Sequence, residues 1–458
     1  MEGSNEIHEQ NLDVSEETEI QKSSTEVWQE EKPRYNRSPF AYPKLNIWES
    51  RFYILTFCTA IIFAWKAVYR ENLKYDYTNV TIVKEVKLPY FGRQLRDDSN
   101  GEWFRFKPLV LLILPFMIGH SLVFNLSYHF FGSQRKMVAE VIIFVYSMLA
   151  FWYTIGICGI FVAISKGALV FAMAYITKNT VSYGLLSFFS YSYDYCDNYN
   201  NIQSKSLLWN LYEMLRYKFY LPYNMSLIVP YRHFHQQLEQ RPYRTRDWKS
   251  IGVFTLRIVF WTIVCEASLY IFHFEALIKD VAMLEKSTLD VLVGLHYAQG
   301  QFFHLKYMII FGFPTIFAKL DNMNPYQPPV CITSVALYSK IWRGFDRGLY
   351  VFFKEYIFLP IMRPTFSPPR KLVALLSTFF FVLCWHGFAP NMLIWVGLNV
   401  SEILTEEVTK GLYRIPAVRQ WRERRISDKW FRRILAAVQI VPLYVAWIAI
   451  LGTKKNYL

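Results

Sequence analysis

LVALLSTFFFVLCWHGFAPNMLIWVGLNVS, residues 372–401, runs for thirty residues without Asp, Glu, Lys or Arg. At about 1.5 Å of rise per residue a straight helix of that length measures about 45 Å, well beyond the roughly 30 Å hydrocarbon core of a bilayer. The segment therefore crosses a membrane with a tilt or a break. Pro390 is the expected break, because proline cannot continue the helical hydrogen-bond ladder. One imidazole, His386, stands near the middle of the run.

Outward from this segment the same pattern recurs. Phe52–Trp65 is uncharged and reaches across a bilayer with Lys66 snorkelling at its end, while residues 108–131 and 141–165 are longer apolar runs. GALVFAMAYIT (Gly167–Thr177) and the Tyr- and Ser-rich stretch to Tyr193 read as a re-entrant or broken helix. Residues 207–231 and 251–272 are long enough to span but contain Glu213, Arg216, Lys218, Arg257 and Glu266, and Gln301–Phe317 holds His304 and Lys306. Charges at such depths face a protein interior or a wet cavity. A last span is expected over residues 435–451. The fold class is thus all-α, a polytopic transmembrane bundle with re-entrant and interfacial helices.

Composition agrees. Only 19% of the 458 residues are charged and 53% are hydrophobic, against about 25% charged in soluble domains. The net charge of +14 joins two unlike parts, since Met1–Glu31 has ten acidic residues and one basic, leaving +23 for the remainder. Residues 1–47 read as an acidic, disordered cytoplasmic tail and 48–458 as the membrane domain. The basic residues sit between apolar runs instead of forming one face, which argues against nucleic acid and for a lipid bilayer. Lys410–Arg433, with nine basic and two acidic residues, marks the cytoplasmic side. The N-terminus lacks the basic and apolar pattern of a cleaved signal, so the first apolar run acts as the anchor.

Two segments punctuate the C-terminal half. DNMNPYQPPVC (Asp321–Cys331) has three prolines in eleven residues and reads as a loop. WRGFDRGLYVFFKEYIFLP (Trp342–Pro360) places Phe345, Leu349, Phe352, Phe353, Tyr356 and Ile357 at helical spacing, as an amphipathic helix lying in the interface would.

Candidate chemistry centres on His386. A histidine in an apolar span is often a core residue bonded to a neighbouring helix; as a neutral imidazole it is also a competent proton acceptor. Asp346 is either an N-terminal charge on its helix or the support of an acid–base group. Trp342 is an interfacial anchor or the wall of an acyl channel, and Cys331 an inert loop thiol or a ligand. Gly387, next to His386, gives room for close approach. Nucleophile elbows, Walker loops, HExxH and di-iron histidine boxes are absent from the sequence.

Cys331, Trp342, Phe345, Asp346, Gly348, Leu349 and Tyr350, followed by Trp385, His386 and Gly387, form a pattern in which the histidine stands forty positions after the aspartate. It resembles the hedgehog acyltransferase branch of the membrane-bound O-acyltransferases, in particular its invertebrate members. RDDSN (Arg96–Asn100) with Glu102 and Trp103, and GQFF (Gly300–Phe303), are similar to the same branch. The resemblance implies catalytic roles for His386 and Asp346, Trp342 in an acyl-CoA tunnel, and Cys331 as a haem iron ligand. It further implies palmitoyl transfer from long-chain acyl-CoA to the N-terminal residue of a secreted protein such as a hedgehog-type signal, in the endoplasmic reticulum membrane, with the Golgi as the alternative compartment. A lipid O-acyltransferase and a non-enzymatic transporter or scaffold that retains the motif are the competing readings. The chain departs from the pattern at YNMSLIVPYRHF (Tyr223–Phe234), which keeps Pro230 but not the usual preceding glycine, and in ending where relatives continue through another helix.

Overall fold

The computed structural model describes residues 46–78, 80–132, 135–177, 207–331, 337–363, 365, 367–427, 429–431, 433–435 and 437–438. Two compact units meet at Ala60, and the described part of the first is one end of the opening helix. That helix, α1 (Ile47–Lys74), is followed by a two-stranded hairpin, β1 (Val83–Leu88) and β2 (Gly92–Asp97), in antiparallel register with Val83 opposite Asp97. The further elements of the described chain are helices joined by loops.

α2 (Gly101–Phe131) and α3 (Lys136–Thr177) pack as a long antiparallel pair. α2 begins seven residues before the apolar run because Asn100 caps it, its side-chain oxygen accepting from the Trp103 N–H at 3.1 Å. α3 continues through GALVFAMAYIT with a sharp turn at Gly156, whose φ of 70° only glycine adopts readily, so the interruption falls earlier than expected. The stretch from 178 to 193 lies outside the described residues.

Residues 207–240 correct the expected span. They form three short helices, α4 (Leu207–Lys218), α5 (Leu221–Ser226) and α6 (Tyr231–Gln240), broken where Pro222 and Pro230 interrupt the ladder. Their charges are paired inward. Arg216 lies 2.5 Å from Glu140 of α3 and 2.7 Å from Glu213, and all three are largely buried.

α7 (Trp248–Ile271), the short α8 (Phe274–Lys279) and α9 (Val281–Lys286), and α10 (Leu289–Leu320) follow. Glu266, inside the apolar α7, is held by Lys107 at 2.7 Å, Trp103 Nε1 at 2.6 Å and Arg96 at 3.3 Å. Three donors offset what an isolated buried carboxylate would cost.

Beyond the proline loop come α11 (Tyr338–Phe345) and α12 (Arg347–Phe352), then a π-helical segment over Phe353–Phe358 and α13 (Leu359–Met362). This replaces the single interfacial helix of the sequence reading. Phe352, Phe353, Tyr356 and Ile357 are buried in the main aromatic core with Phe379, Phe381 and Val382, so the apolar stripe faces protein. α14 (Pro368–His386) and α15 (Pro390–Arg414) are separated at the expected proline, and α16 (Pro416–Arg425) ends the fully described chain. Among the described residues five helices are long and apolar enough to cross a membrane: α1, α2, residues 136–169 of α3, α7 and α14. The span expected over 435–451 lies almost wholly outside them.

Candidate functional site

The His386 ring is the last side chain of α14. Gly387 closes the helix at φ 89°, its N–H reaching the Leu383 carbonyl at 2.8 Å, and a side chain there would be strained. Nothing lies within 4 Å of where a Cβ on Gly387 would stand, so the space beside the histidine is open. His386 itself is accessible, and neither ring nitrogen has a hydrogen-bond partner among the described residues. Its ring meets Trp395 of α15 edge-on, centroids 5.5 Å apart.

Trp395 extends an aromatic wall. Trp342 of α11 lies 5.9 Å from it and 5.0 Å from Phe379, and its indole N–H donates to Asn399 Oδ1 at 3.1 Å. Asn399 is buried and its own amide donates to the Trp395 carbonyl at 2.7 Å. The bond fixes the orientation of the indole ring against Phe379 and Trp395.

Asp346 sits at the junction of α11 and α12, where its Oδ1 accepts from the Leu349 N–H at 2.9 Å. It is the N-cap of α12. Burial pushes its carboxyl up from 3.8 to about 6, against the pull of the Leu349 and Gly348 N–H groups. Gly348 in the same motif is required by contact, since a Cβ there would come within 1.9 Å of the Ile228 carbonyl oxygen. This fixes α12 against the backbone between α5 and α6.

No hydrogen bond or ion pair joins Asp346 to His386. Glu102, in the first turn of α2, stands in the sequence pattern without being singled out by it, and is reached from Phe345 through Tyr307. Its carboxylate lies 2.5 Å from Lys306 Nζ and accepts from the Tyr307 hydroxyl at 3.3 Å. Tyr307 in turn lies in the fields of both Glu102 and Asp346. Phe345, beside Asp346, stacks on Phe303 at 5.4 Å and meets Tyr307 at 5.5 Å.

The signal for Glu102 was Lys306. A lysine in an apolar run that ends only 3% exposed must meet an acid, although nothing in the sequence says which. The segment before Glu102 explains its placement. Asp97 accepts from the Ala276 N–H at 2.9 Å, Lys279 donates to the Ser99 carbonyl at 2.7 Å, and Asn100 donates to Glu275 at 3.0 Å. RDDSN is thus a knot that docks the hairpin on α8 and aims the first turn of α2 at the site.

Cys331 is an exposed thiol, outside any disulfide, on the proline loop, and the preceding Val330 N–H is tied to the Gly344 carbonyl of α11 at 3.0 Å. No group of three metal-ligating side chains exists among the described residues, so a metal held by protein alone does not fit there. The Cys331 thiol is a single sulfur donor, the kind of ligand a haem iron would take from the chain.

Comparison with known proteins places these features in a family. The membrane-bound O-acyltransferase family model matches residues 177–441, more than half of the chain. Mouse protein-cysteine N-palmitoyltransferase HHAT is 24% identical over 400 residues, covering 76% of this chain and 78% of its own length. Drosophila protein-cysteine N-palmitoyltransferase Rasp is 25% identical over 400 residues, 78% of each chain. The yeast membrane-bound O-acyltransferase GUP1 is 21% identical over 311 residues, 60% of this chain and 53% of its own. The chain belongs to the membrane-bound O-acyltransferase family.

Proposed function

We propose that this chain transfers a long-chain fatty acyl group, palmitoyl by likeness to its relatives, from acyl-CoA to the N-terminal residue of a secreted or lumenal protein of the hedgehog type. The observation that carries the reading is the exposed His386 ring, which meets Trp395 edge-on and has no hydrogen-bond partner among the described residues. The names of HHAT and Rasp support the acyl group and the protein acceptor.

In the proposed reaction a nitrogen of His386 takes the proton of the acceptor nucleophile as that nucleophile bonds to the thioester carbon. The carbon–sulfur bond then breaks and CoA leaves as the thiol, taking up the proton. Where the acceptor is an N-terminal cysteine, its thiol can attack first, with the acyl group moving afterwards to the amine. Glu102 stabilises the imidazolium formed midway, and Asp346 holds the start of α12. Trp342 and Trp395 line the path of the acyl chain. General-base catalysis supplies about 10² to 10⁴-fold, and the rest of the acceleration comes from alignment in a water-poor chamber. The compartment proposed is the endoplasmic reticulum, with the basic residues of Lys410–Arg433 on the CoA side.

Purified protein incubated with labelled palmitoyl-CoA and either N-terminal cysteine peptides or lysophospholipids and sterols tests the acceptor. Peptide labelling supports the proposal, while lipid labelling alone assigns the chain to lipid O-acylation. For Cys331, haem ligation predicts a Soret band in the purified protein that Cys331→Ala removes; a wild type without the band contradicts it.

A further inference from the structure

Helix α16 has almost no buried face. Every residue from Arg414 to Arg425 is exposed except Arg422, which is 4% exposed and lies against the stacked rings of Tyr413 and Phe431, 5.0 and 4.9 Å away. A short helix packed on so little of its own chain is marginal, so an outside surface must share in holding it. The chemistry of that surface is readable. Val418, Trp421 and Arg425 recur at helical spacing along one side, with Arg425 over the Trp421 ring at 5.9 Å, and Arg424 flanks them. Trp421 is 58% exposed and Trp430, under the Arg433 guanidinium at 4.8 Å, is 60% exposed. Residues 414–433 hold eight basic residues against Glu423 and Asp428.

Large exposed indoles beside arginines suit neither bulk water nor hydrocarbon. They suit the boundary between them, where the ring sits among the headgroups and the guanidinium meets phosphate. We infer that α16 and the following basic turn form a surface that lies on the membrane and selects anionic phospholipid headgroups over zwitterionic ones. Charge complementarity fixes the partner: a zwitterionic surface would leave the excess arginines without counter-charge, whereas an anionic leaflet attracts each of them within a Debye length. This surface is built of residues outside the acyl-transfer site and stands independently of the proposed reaction.

The test uses the full chain in nanodiscs of phosphatidylcholine containing roughly 20 mol% of brominated phosphatidylserine or, in parallel, brominated phosphatidylcholine, a fraction in the range of anionic leaflets. Because the chain has 14 tryptophans, the Trp421 signal is taken as the difference between wild type and Trp421→Phe. The expected result is Trp421 quenching at least roughly twofold greater by the anionic lipid, with the difference fading at about 0.5 M salt as screening shortens. It should vanish in the triple variant Arg419→Gln, Arg424→Gln, Arg425→Gln. Equal quenching by the two lipids, no quenching of Trp421, or a preference that survives the triple variant overturns the inference.

Discussion

At the scale of single residues, Asp346 separates two roles that a single mutant would confuse. As the N-cap of α12 it contributes about 1 kcal/mol, which Asn retains and Ala loses. As a charge it is costly, because burial raises its carboxyl to about 6 from 3.8. The stability this group contributes is therefore fully present below pH 3.8 and lost as pH rises through about 6. Asp346→Asn is expected to melt at or above the wild-type temperature at pH 7.5, yet to lose most of its transfer activity, while Asp346→Ala loses both. If the ionised form serves the reaction, the wild-type rate falls on acidification through about pH 6. An Asn variant with full activity would reduce Asp346 to a helix cap.

At the scale of elements, the π-helical segment after α12 is held by a buried relay. His233 of α6, 3% exposed, contacts the Tyr326 hydroxyl through Nδ1 and lies 3.2 Å from Glu355 through Nε2. The other Glu355 oxygen is buried without a hydrogen-bond partner. His233→Leu removes the one bond that steadies this carboxylate and should cost about 1–3 kcal/mol, read as a lower melting temperature in detergent. Adding Glu355→Leu should restore part of the loss, since no orphaned acid then remains. An unchanged melting temperature for the single variant contradicts this view of the relay. The π segment itself was not legible, because its residues keep ordinary helical spacing and the extra residue per turn follows from packing. The break at Pro390 and the loop at Asp321–Cys331 were legible, since proline acts through local covalent geometry.

At the scale of the whole molecule, the sequence carried the class of fold. Long uncharged runs have few places to go except a bilayer, and α2, α3 and α14 lie where such runs occur. It misjudged residues 207–240, where Arg216 bridges Glu213 of its own helix to Glu140, seventy-six positions away, and no local pattern names that distant partner. The site divides in the same way. The candidates His386, Asp346 and Trp342 stand in one sequence motif, whereas the placement of Glu102 depends on a knot between RDDSN and α8 far along the chain.

The central claim concerns proton transfer at His386, and one comparison addresses it most directly. Wild type and His386→Ala, purified to the same melting temperature, are supplied with palmitoyl-CoA and an N-terminal cysteine peptide, and acylated peptide is followed by mass. The variant should fold normally, since the His386 side chain is exposed and makes no hydrogen bond or ion pair among the described residues, and transfer should fall by about 10²-fold or more. Transfer at the wild-type rate in the folded variant would contradict the account.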